Sequence, residues 1–385
     1  MQLQVSDRIA YGNAAAVESG VVDGNNHIAF TAAAHGGIEL LWFCFRISNP
    51  APQSLPPRTV LELKHVSTML GGQPADCHPV IRYDGGEWRR LPAGEVASRP
   101  DGHFSLRWTV DTPATFAEVA LCYPYGEPEL RQLAAECGGY WKCDEIGVSQ
   151  KGNPIRRLSN ACGEPGNGRP GLYVISRQHA AEVSGAWVLD GFLRRLAELG
   201  DRAPLVWCVP MTNIDGVLDG DYGKNPYPHD LNRAWDASAP MRHETLLLMR
   251  DQSYWRERCR PAAFLDFHSP GMQEDDHYCF VPSAGAIPPG LAEATERLAR
   301  QVESALPDYA AANFIRRADY KPFGVWGGFA NATEHAANVL GIPGLSFETS
   351  YQKAHGRILE TKDYQTIGRL TADAVAAAFC EPEKP

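Results

Sequence analysis

The sequence predicts a two-domain protein in which an antiparallel β-sandwich precedes an α/β domain with a mostly parallel sheet. The chain has 385 residues, more than one compact core usually holds. Its first part is dominated by short aromatic and β-branched runs, which Pro, Gly and Asp clusters separate. From about residue 145, apolar strand-like runs alternate with helical patterns. We place the boundary so that the domains cover 1–126 and 127–385.

The first domain is predicted from strands that follow one another at regular spacing without long helical patterns between them, which is typical of an antiparallel sandwich. A helix with the sequence EPELRQLAAEC then leads out of this domain. The predicted strands cover 41–50, 59–66, 78–84, 103–110 and 117–125.

The second domain is predicted from apolar runs that suit buried parallel strands. The runs GLYVIS and LVWCVP enclose a segment of helical periodicity, which gives a strand–helix–strand unit. The predicted strands cover 171–176, 205–210, 262–268 and 342–348, and the predicted helices cover 181–199, 241–259, 288–306 and 364–380.

The composition limits the classes of function. Apolar residues make up 44% and charged residues 21% of the chain, as in an ordinary globular protein. The formal net charge of -10 argues against a general affinity for nucleic acid or for an anionic membrane. The sequence shows neither a secretion signal nor a membrane span, so we expect a soluble, cytoplasmic protein whose cysteines are reduced thiols.

A histidine and a glutamate three positions apart follow the first predicted strand of the second domain. His179 and Glu182 stand where this strand gives way to a helix. Open α/β sheets bind ligands beyond the carboxyl ends of their strands, and imidazole and carboxylate groups are typical zinc ligands. A helix-capping carboxylate beside a surface histidine has the same spacing, so this pair alone leaves both interpretations open.

A second histidine ends another apolar strand. His268, in LDFHSP, completes with His179 and Glu182 the two-His, one-Glu set of hydrolytic zinc sites, which keep one position open. We therefore predict that these residues bind one zinc ion. Asp266, on the same strand face, is a candidate to support the site by a hydrogen bond. The alternative is a strand-end histidine that is bonded to backbone.

A carboxylate ends the last apolar strand. Burying the charge of Glu348 is costly unless the residue is paired or functional. Beside a metal-activated water, Glu348 would serve as general base and return the proton to the leaving amine. A structural ion pair, for example with Arg233, is the alternative.

An amide and a guanidinium are adjacent in the long polar loop before His268. Asn232 and Arg233 together suit a carboxylate, because the guanidinium fork can form two hydrogen bonds to it. A surface arginine in a helix cap is the alternative, and the dipeptide alone favours it.

Taken together, these residues resemble the zinc carboxypeptidases of the metallopeptidase M14 family. The order of the motifs agrees with that family over nearly all of 145–380. The N-terminal runs LWFCFRISN and ALCYPY resemble the companion domain of the cytosolic carboxypeptidase subfamily. The motifs are HxxE (His179, Glu182), NxDG (Asn213, Asp215, Gly216), DLNR (Asp230 to Arg233), the strand-end His268 and FE (Phe347, Glu348).

The resemblance implies a carboxypeptidase-like α/β/α domain with a mixed eight-stranded sheet, one zinc ion and removal of C-terminal residues from peptides. His179, Glu182 and His268 would bind zinc, and Glu348 would be the base. Asn232 and Arg233 would bind the terminal carboxylate of the substrate. Members of the subfamily trim glutamates from protein tails, so a peptide or protein C-terminal tail is the expected partner.

The sequence departs from the family at the loop arginine that polarises the scissile carbonyl. Gly223 stands at that position with Lys224 next to it. Lys224 is a candidate to supply the positive charge at the substrate, but an ammonium does not replace a planar guanidinium. Tyr320 and Trp326 are candidates for the family's closing tyrosine, and Tyr320 is our choice. Glu334 occupies the region that selects the substrate side chain, and if it faces the pocket a basic substrate would be favoured.

Two other functions remain open. A zinc amidase acting on a small N-acyl or amino-acid amide would use the same metal chemistry without the carboxylate contact. A non-catalytic peptide-binding relative would fit the missing loop arginine but would not need Glu348. The sequence does not indicate the oligomeric state.

Overall fold

The structure is a computed structural model that describes residues 2–37, 39–52, 54–66, 76–224, 230–236, 238–239, 241–283, 285–318 and 330–379. The chain divides into two compact units. The first comprises Met1–Pro124, Gly216–Lys224 and Gly271–Glu274, and the second comprises Tyr125–Asp215, Asn225–Pro270 and Asp275–Pro385. The domain boundary expected from the sequence stays a prediction.

The strands of the first unit are short and separated by turns. They are β1 Gln4–Ser6, β2 Ala15–Val22, β3 Asn25–Thr31, β4 Cys44–Ser48, β5 Arg58–Leu63, β6 Val80–Tyr83, β7 Arg89–Arg90, β8 Glu95–Ser98, β9 Phe104–Asp111 and β10 Phe116–Ala120.

These strands form two five-stranded sheets, in the orders β1-β4-β10-β6-β7 and β2-β3-β5-β9-β8. Every pair is antiparallel except β3 with β5, which run parallel. Phe30 of β3 packs its ring 4.6 Å from that of Phe45 of β4, so the core lies between the sheets. The predicted β-sandwich is therefore confirmed, with one parallel pair that the sequence did not indicate.

The second unit contains the long helices of the described residues and one large sheet. Its strands are β11 Lys142–Val148, β12 Pro154–Ser159, β13 Pro170–Ser176, β14 Leu205–Val209, β15 Arg260–His268, β16 His277–Pro282, β17 Ala310–Ala318, β18 Gly344–Thr349, β19 Lys353–Ala354 and β20 Arg357–Ile358.

The helices are α1 Glu127–Glu136, α2 Val183–Leu199, α3 Ile214–Asp219, α4 His243–Glu257, α5 Pro289–Ala305, α6 Ala332–His335 and α7 Thr361–Phe379. Short 3₁₀ turns cover Gly200–Arg202 and Leu231–Arg233, and a π-helical turn covers Ala336–Leu340.

The large sheet has eight strands in the order β11-β12-β14-β13-β15-β18-β16-β17. Strands β14, β13, β15 and β18 run parallel to one another, whereas β12 is antiparallel to β14 and β16 is antiparallel to β18. The predicted mixed eight-stranded sheet is therefore confirmed. The parallel strands β13, β15 and β18 all end at the same edge of the sheet, where His179, His268 and Glu348 stand at or after the strand ends.

Helices cover both faces of this sheet. Tyr173 and Phe264 face one side, where Tyr173 contacts Trp255 of α4 at 5.6 Å between ring centroids. Phe267 is three positions beyond Phe264 and faces the other side, where it contacts Phe192 of α2 at 5.5 Å. His268 lies four positions beyond Phe264 and therefore points to the face that α4 covers.

A helix long and apolar enough to span a bilayer is not found among the residues with described coordinates.

Candidate metal centre

The turn between β13 and α2 presents His179 and Glu182. Arg177 has a positive φ of 59°, a left-handed conformation that ends the strand sharply. Its buried guanidinium donates to the carbonyl of Ala180 at 2.6 Å and to that of Tyr125 at 2.7 Å. These contacts hold the turn in shape just ahead of the first residue of α2.

The first turn of α2 lies against the backbone of β15. A Cβ at Gly185 would be 2.7 Å from the carbonyl oxygen of His268, so only glycine permits this approach. The Ser269 hydroxyl accepts from the Gly185 amide at 3.1 Å. The close contact brings Glu182, just before α2, next to His268.

His179, Glu182 and His268 converge. Glu182 Oε1 lies 2.8 Å from His179 Nδ1, and Glu182 Oε2 lies 2.6 Å from His268 Nδ1. The potential ligand atoms of the three residues all lie within 4.8 Å of one another, and all three side chains are buried. Two imidazole nitrogens and a carboxylate that face one point form a donor set that suits zinc.

The outer nitrogen of each imidazole meets a second carboxylate. His179 Nε2 is 3.1 Å from Asp230 Oδ1, and His268 Nε2 is 2.8 Å from Asp266 Oδ2. Such contacts fix the ring orientation and leave Nδ1 for the metal, as is usual for metal-bound histidines.

The charges at this site shift the pKa of each group. Burial raises the pKa of Glu182, but His179 and His268 outweigh this effect and lower it below its ordinary value. Burial lowers the pKa of His268, yet Asp266 and Glu182 raise it well above its ordinary value. In the same way, Glu182 and Asp230 raise the pKa of His179 against the effect of burial. The surroundings therefore favour positive charge at the point where the imidazoles meet.

Glu348 is adjacent to His268 in the sheet. The two residues are register partners at the ends of β18 and β15, and Glu348 is also paired with Tyr278 of β16. Its side chain is half-buried, and register partners point to the same face. The proposed base is thus on the sheet face that carries His268.

The Asn232 and Arg233 pair follows Asp230 in a 3₁₀ turn. The Asp230 side chain accepts from the backbone N–H of Asn232 at 2.7 Å, which caps the turn. Asn232 Nδ2 lies 3.4 Å from His268 Nε2, and Asn232 Oδ1 accepts from the Ala332 amide at 3.1 Å. Arg233 is buried and donates to the Asn232 carbonyl at 2.8 Å. The amide predicted to bind substrate therefore lies beside a predicted metal ligand.

The other candidate substrate contacts have different surroundings. Lys224 belongs to the first unit, where its Nζ lies 3.1 Å from Glu39 Oε2. A role for Lys224 at the substrate stays a prediction. Tyr320 and Trp326 lie outside the described residues. Glu334, in α6, is half-buried, and its effect on side-chain preference also stays a prediction.

Sequence reasoning gave no role to three residues at this site. Asp230 contacts His179, Gln178 donates to Asp266 at 2.5 Å, and Trp235 Nε1 donates to Gln178 Oε1 at 2.7 Å. The only signals were that Asp230 belongs to the DLNR motif and that Gln178 precedes His179. Their partners are 51 to 88 residues away along the chain, a separation that no local pattern indicates.

Comparison with known proteins gives relatives over most of the chain. No family model matches it. An uncharacterised protein of Zymomonas mobilis is 25% identical over 328 residues, which cover 83% of this chain and 80% of that protein. Cytosolic carboxypeptidase 2 of Danio rerio is 28% identical over 223 residues, which cover 50% of this chain and 30% of that protein. The chain thus corresponds to a minor part of the zebrafish protein.

The fold is shared with a solved structure. The crystal structure of a metallo-carboxypeptidase from Burkholderia cenocepacia matches with a TM-score of 0.74 at 19% identity, over 98% of this chain and 99% of that one. The fold is therefore that of the metallo-carboxypeptidases. Together with the sequence relatives, this fold supports the resemblance of the chain to carboxypeptidases of the M14 type. The predicted family resemblance and the predicted class of enzyme, a metallopeptidase, are confirmed.

Proposed function

We propose that the chain is a zinc-dependent metallocarboxypeptidase that hydrolyses the C-terminal peptide or isopeptide bond of a peptide or protein tail in the cytoplasm. One observation carries this proposal. His179, Glu182 and His268 bring their ligand atoms within 4.8 Å of one another at the carboxyl edge of a carboxypeptidase-like sheet.

The donor set fits one zinc ion. Two imidazoles and one carboxylate are the protein ligands of hydrolytic zinc sites, which leave a position for water or substrate. When bound, zinc lowers the pKa of a water ligand and polarises a carbonyl oxygen. Asp230 and Asp266 accept hydrogen bonds from the outer nitrogens of the imidazoles and so hold the rings in the orientation that binding requires.

Glu348 acts as the general base. Because it is the register partner of His268, its carboxylate is on the face where the substrate carbonyl would bind. It takes a proton from the attacking water and delivers it to the nitrogen of the leaving residue. Its half-buried position leaves access for water while limiting its solvation.

Asn232 and Arg233 bind the terminal carboxylate. A buried arginine beside an amide next to His268 supports a carboxypeptidase over an amidase, because an amidase does not need this contact. Gly223, at the position of the missing loop arginine, has a φ of 102°, which side-chain-bearing residues rarely adopt. The backbone there is built for glycine, so the family's arginine has no counterpart at that position.

The test is a screen of the zinc-loaded protein with peptides that have a free or an amidated C-terminus. We expect release of the last residue from the free peptides and little release from the amidated ones. Peptides ending in Lys, Glu or Leu report side-chain preference. Turnover of the Glu peptide but not of the Lys peptide would contradict a preference for basic residues set by Glu334. Cleavage of small N-acyl amides alone, or peptide binding without cleavage, would contradict the proposal.

A further inference from the structure

A chain of three buried side chains leads away from His268. Trp235 Nε1 donates to Gln178 Oε1 at 2.7 Å, and Gln178 Nε2 donates to Asp266 Oδ2 at 2.5 Å. That same oxygen lies 2.8 Å from His268 Nε2. Trp235, Gln178 and Asp266 are each no more than 1% exposed, so water does not compete for these bonds.

The direction of the bonds is fixed at one end. An indole N–H can only donate, so Trp235 requires the oxygen of the Gln178 amide to face it. The amide nitrogen then has to face Asp266. A carboxylate offers no proton when ionised, so Asp266 accepts from both Gln178 and His268 on one oxygen.

The other oxygen of Asp266 shows why this support matters. Asp266 Oδ1 is buried and has no hydrogen-bond partner within the described parts of the chain. The contacts with Gln178 and His268 are therefore the ones that fix the rotation of the Asp266 carboxylate. Gln178 also immediately precedes His179. Its side chain therefore connects the segment that carries the His179 imidazole to Asp266, the carboxylate that supports His268.

We infer that Gln178, oriented by Trp235, is a positioning residue for the metal centre. Gln178 fixes the imidazole of His268 through Asp266. The inference rests on the proposed function, because it assumes that His268 binds a metal through Nδ1. Gln178 and Trp235 thus contribute to metal affinity although their side chains do not touch the metal.

The test compares metal binding by the wild-type chain and by Gln178→Met and Trp235→Phe. Methionine keeps the length of glutamine but cannot donate, and phenylalanine keeps an aromatic ring, although a smaller one, and removes the N–H. The matched control is Trp255→Phe, because Trp255 is equally buried and its N–H has no hydrogen-bond partner within the described ranges. Zinc dissociation constants come from competition with a chelator, and cobalt substitution gives a visible absorption spectrum of the site.

We expect Gln178→Met to weaken zinc binding by about 10- to 100-fold, as is usual for groups that support a metal-bound histidine. Trp235→Phe should weaken it less and should change the cobalt spectrum in the same direction, whereas Trp255→Phe should match the wild type. A purely structural role would lower the stability of the metal-free variants without altering the cobalt spectrum.

If Gln178→Met fails to fold, Trp235→Phe decides the matter. Wild-type zinc affinity and cobalt spectra in the folded variants would overturn the inference. A wild-type chain that binds zinc but cleaves no peptide would overturn the proposed function alone. A wild-type chain that binds neither zinc nor cobalt would overturn both.

Discussion

Glu348 lies directly opposite His268 in the register of two parallel strands. The carboxylate and the imidazole come from segments 80 residues apart, yet the sheet sets them side by side on one face. Parallel pairing at the carboxyl edge thus joins a candidate metal ligand to a candidate base. The predictions below follow from this arrangement and from the contacts around it.

Replacing Glu348 with Gln should lower kcat by about 10²- to 10⁴-fold, because an amide cannot take the proton of the attacking water. Zinc content should stay at the wild-type level, since Glu348 is not among the three proposed ligands. The matched control is Glu293→Gln, an exposed carboxylate on α5 whose loss should leave kcat unchanged. Unchanged peptide turnover by Glu348→Gln would show that the assigned role is wrong.

Replacing Arg233 with Lys should raise KM for peptides with a free C-terminus and lower kcat/KM by about 10- to 100-fold, the value of a hydrogen bond to a charged group. The variant keeps the charge but loses the planar fork that matches a carboxylate. Arg256→Lys, at an exposed position of α4, is the control. Equal losses for free and amidated peptides would speak against carboxylate recognition by Arg233.

Replacing Gly185 with Ala should destabilise the protein by about 1–3 kcal/mol and weaken zinc binding, because the new Cβ would press on the His268 backbone. Gly290→Ala is the control, since a Cβ there meets no atom within 4 Å. That control should be neutral or slightly stabilising, as alanine is the better helix former. Urea unfolding of both variants measures the difference, and equal stability would contradict the close approach of α2 to β15.

The buried His277 makes stability depend on pH. Burial lowers the pKa of His277 to about 3, against an ordinary value of 6.5, and its ring stacks on Phe347. At a pH between these two pKa values, the unfolded chain therefore binds a proton at His277 and the folded chain does not. Stability should fall as the pH falls from about 6.5 toward 3, with a slope of up to about 1.4 kcal/mol per pH unit from this group.

The measurement for His277 is urea unfolding at pH 7.5, 6.5 and 5.5, in the wild type and in His277→Gln. Glutamine can still bond to Thr349, which lies 3.0 Å from His277 Nδ1, but it does not titrate. The variant should have a shallower pH dependence than the wild type. Parallel curves would mean that His277 does not contribute.

The sequence predicted what depends on local pattern. The apolar runs of β13, β14, β15 and β18 identified the central strands, because buried parallel strands need apolar residues on both faces. The spacing of His179 and Glu182 likewise indicated a candidate metal-binding pair. Strand β2 was not predicted, because it is an edge strand with mostly exposed residues and no clear alternation.

The supporting contacts could not be read from the sequence for a physical reason. Asp230 meets His179, and Gln178 meets Asp266, only because separate strands and a loop converge at one edge of the sheet. Carboxylates and amides are common in polar segments, so their types alone do not mark them. The parallel pairing of β3 with β5 also depends on long-range contacts that the short strands do not encode.

The most direct test of the central claim is metal analysis of the purified chain beside His268→Ala. We predict one zinc ion per wild-type chain and a loss of about 10-fold or more in zinc affinity for the variant, because a ligand that is removed leaves only two. A folded wild-type chain that binds no divalent metal, or a His268→Ala variant that binds zinc as tightly as the wild type, would contradict the account.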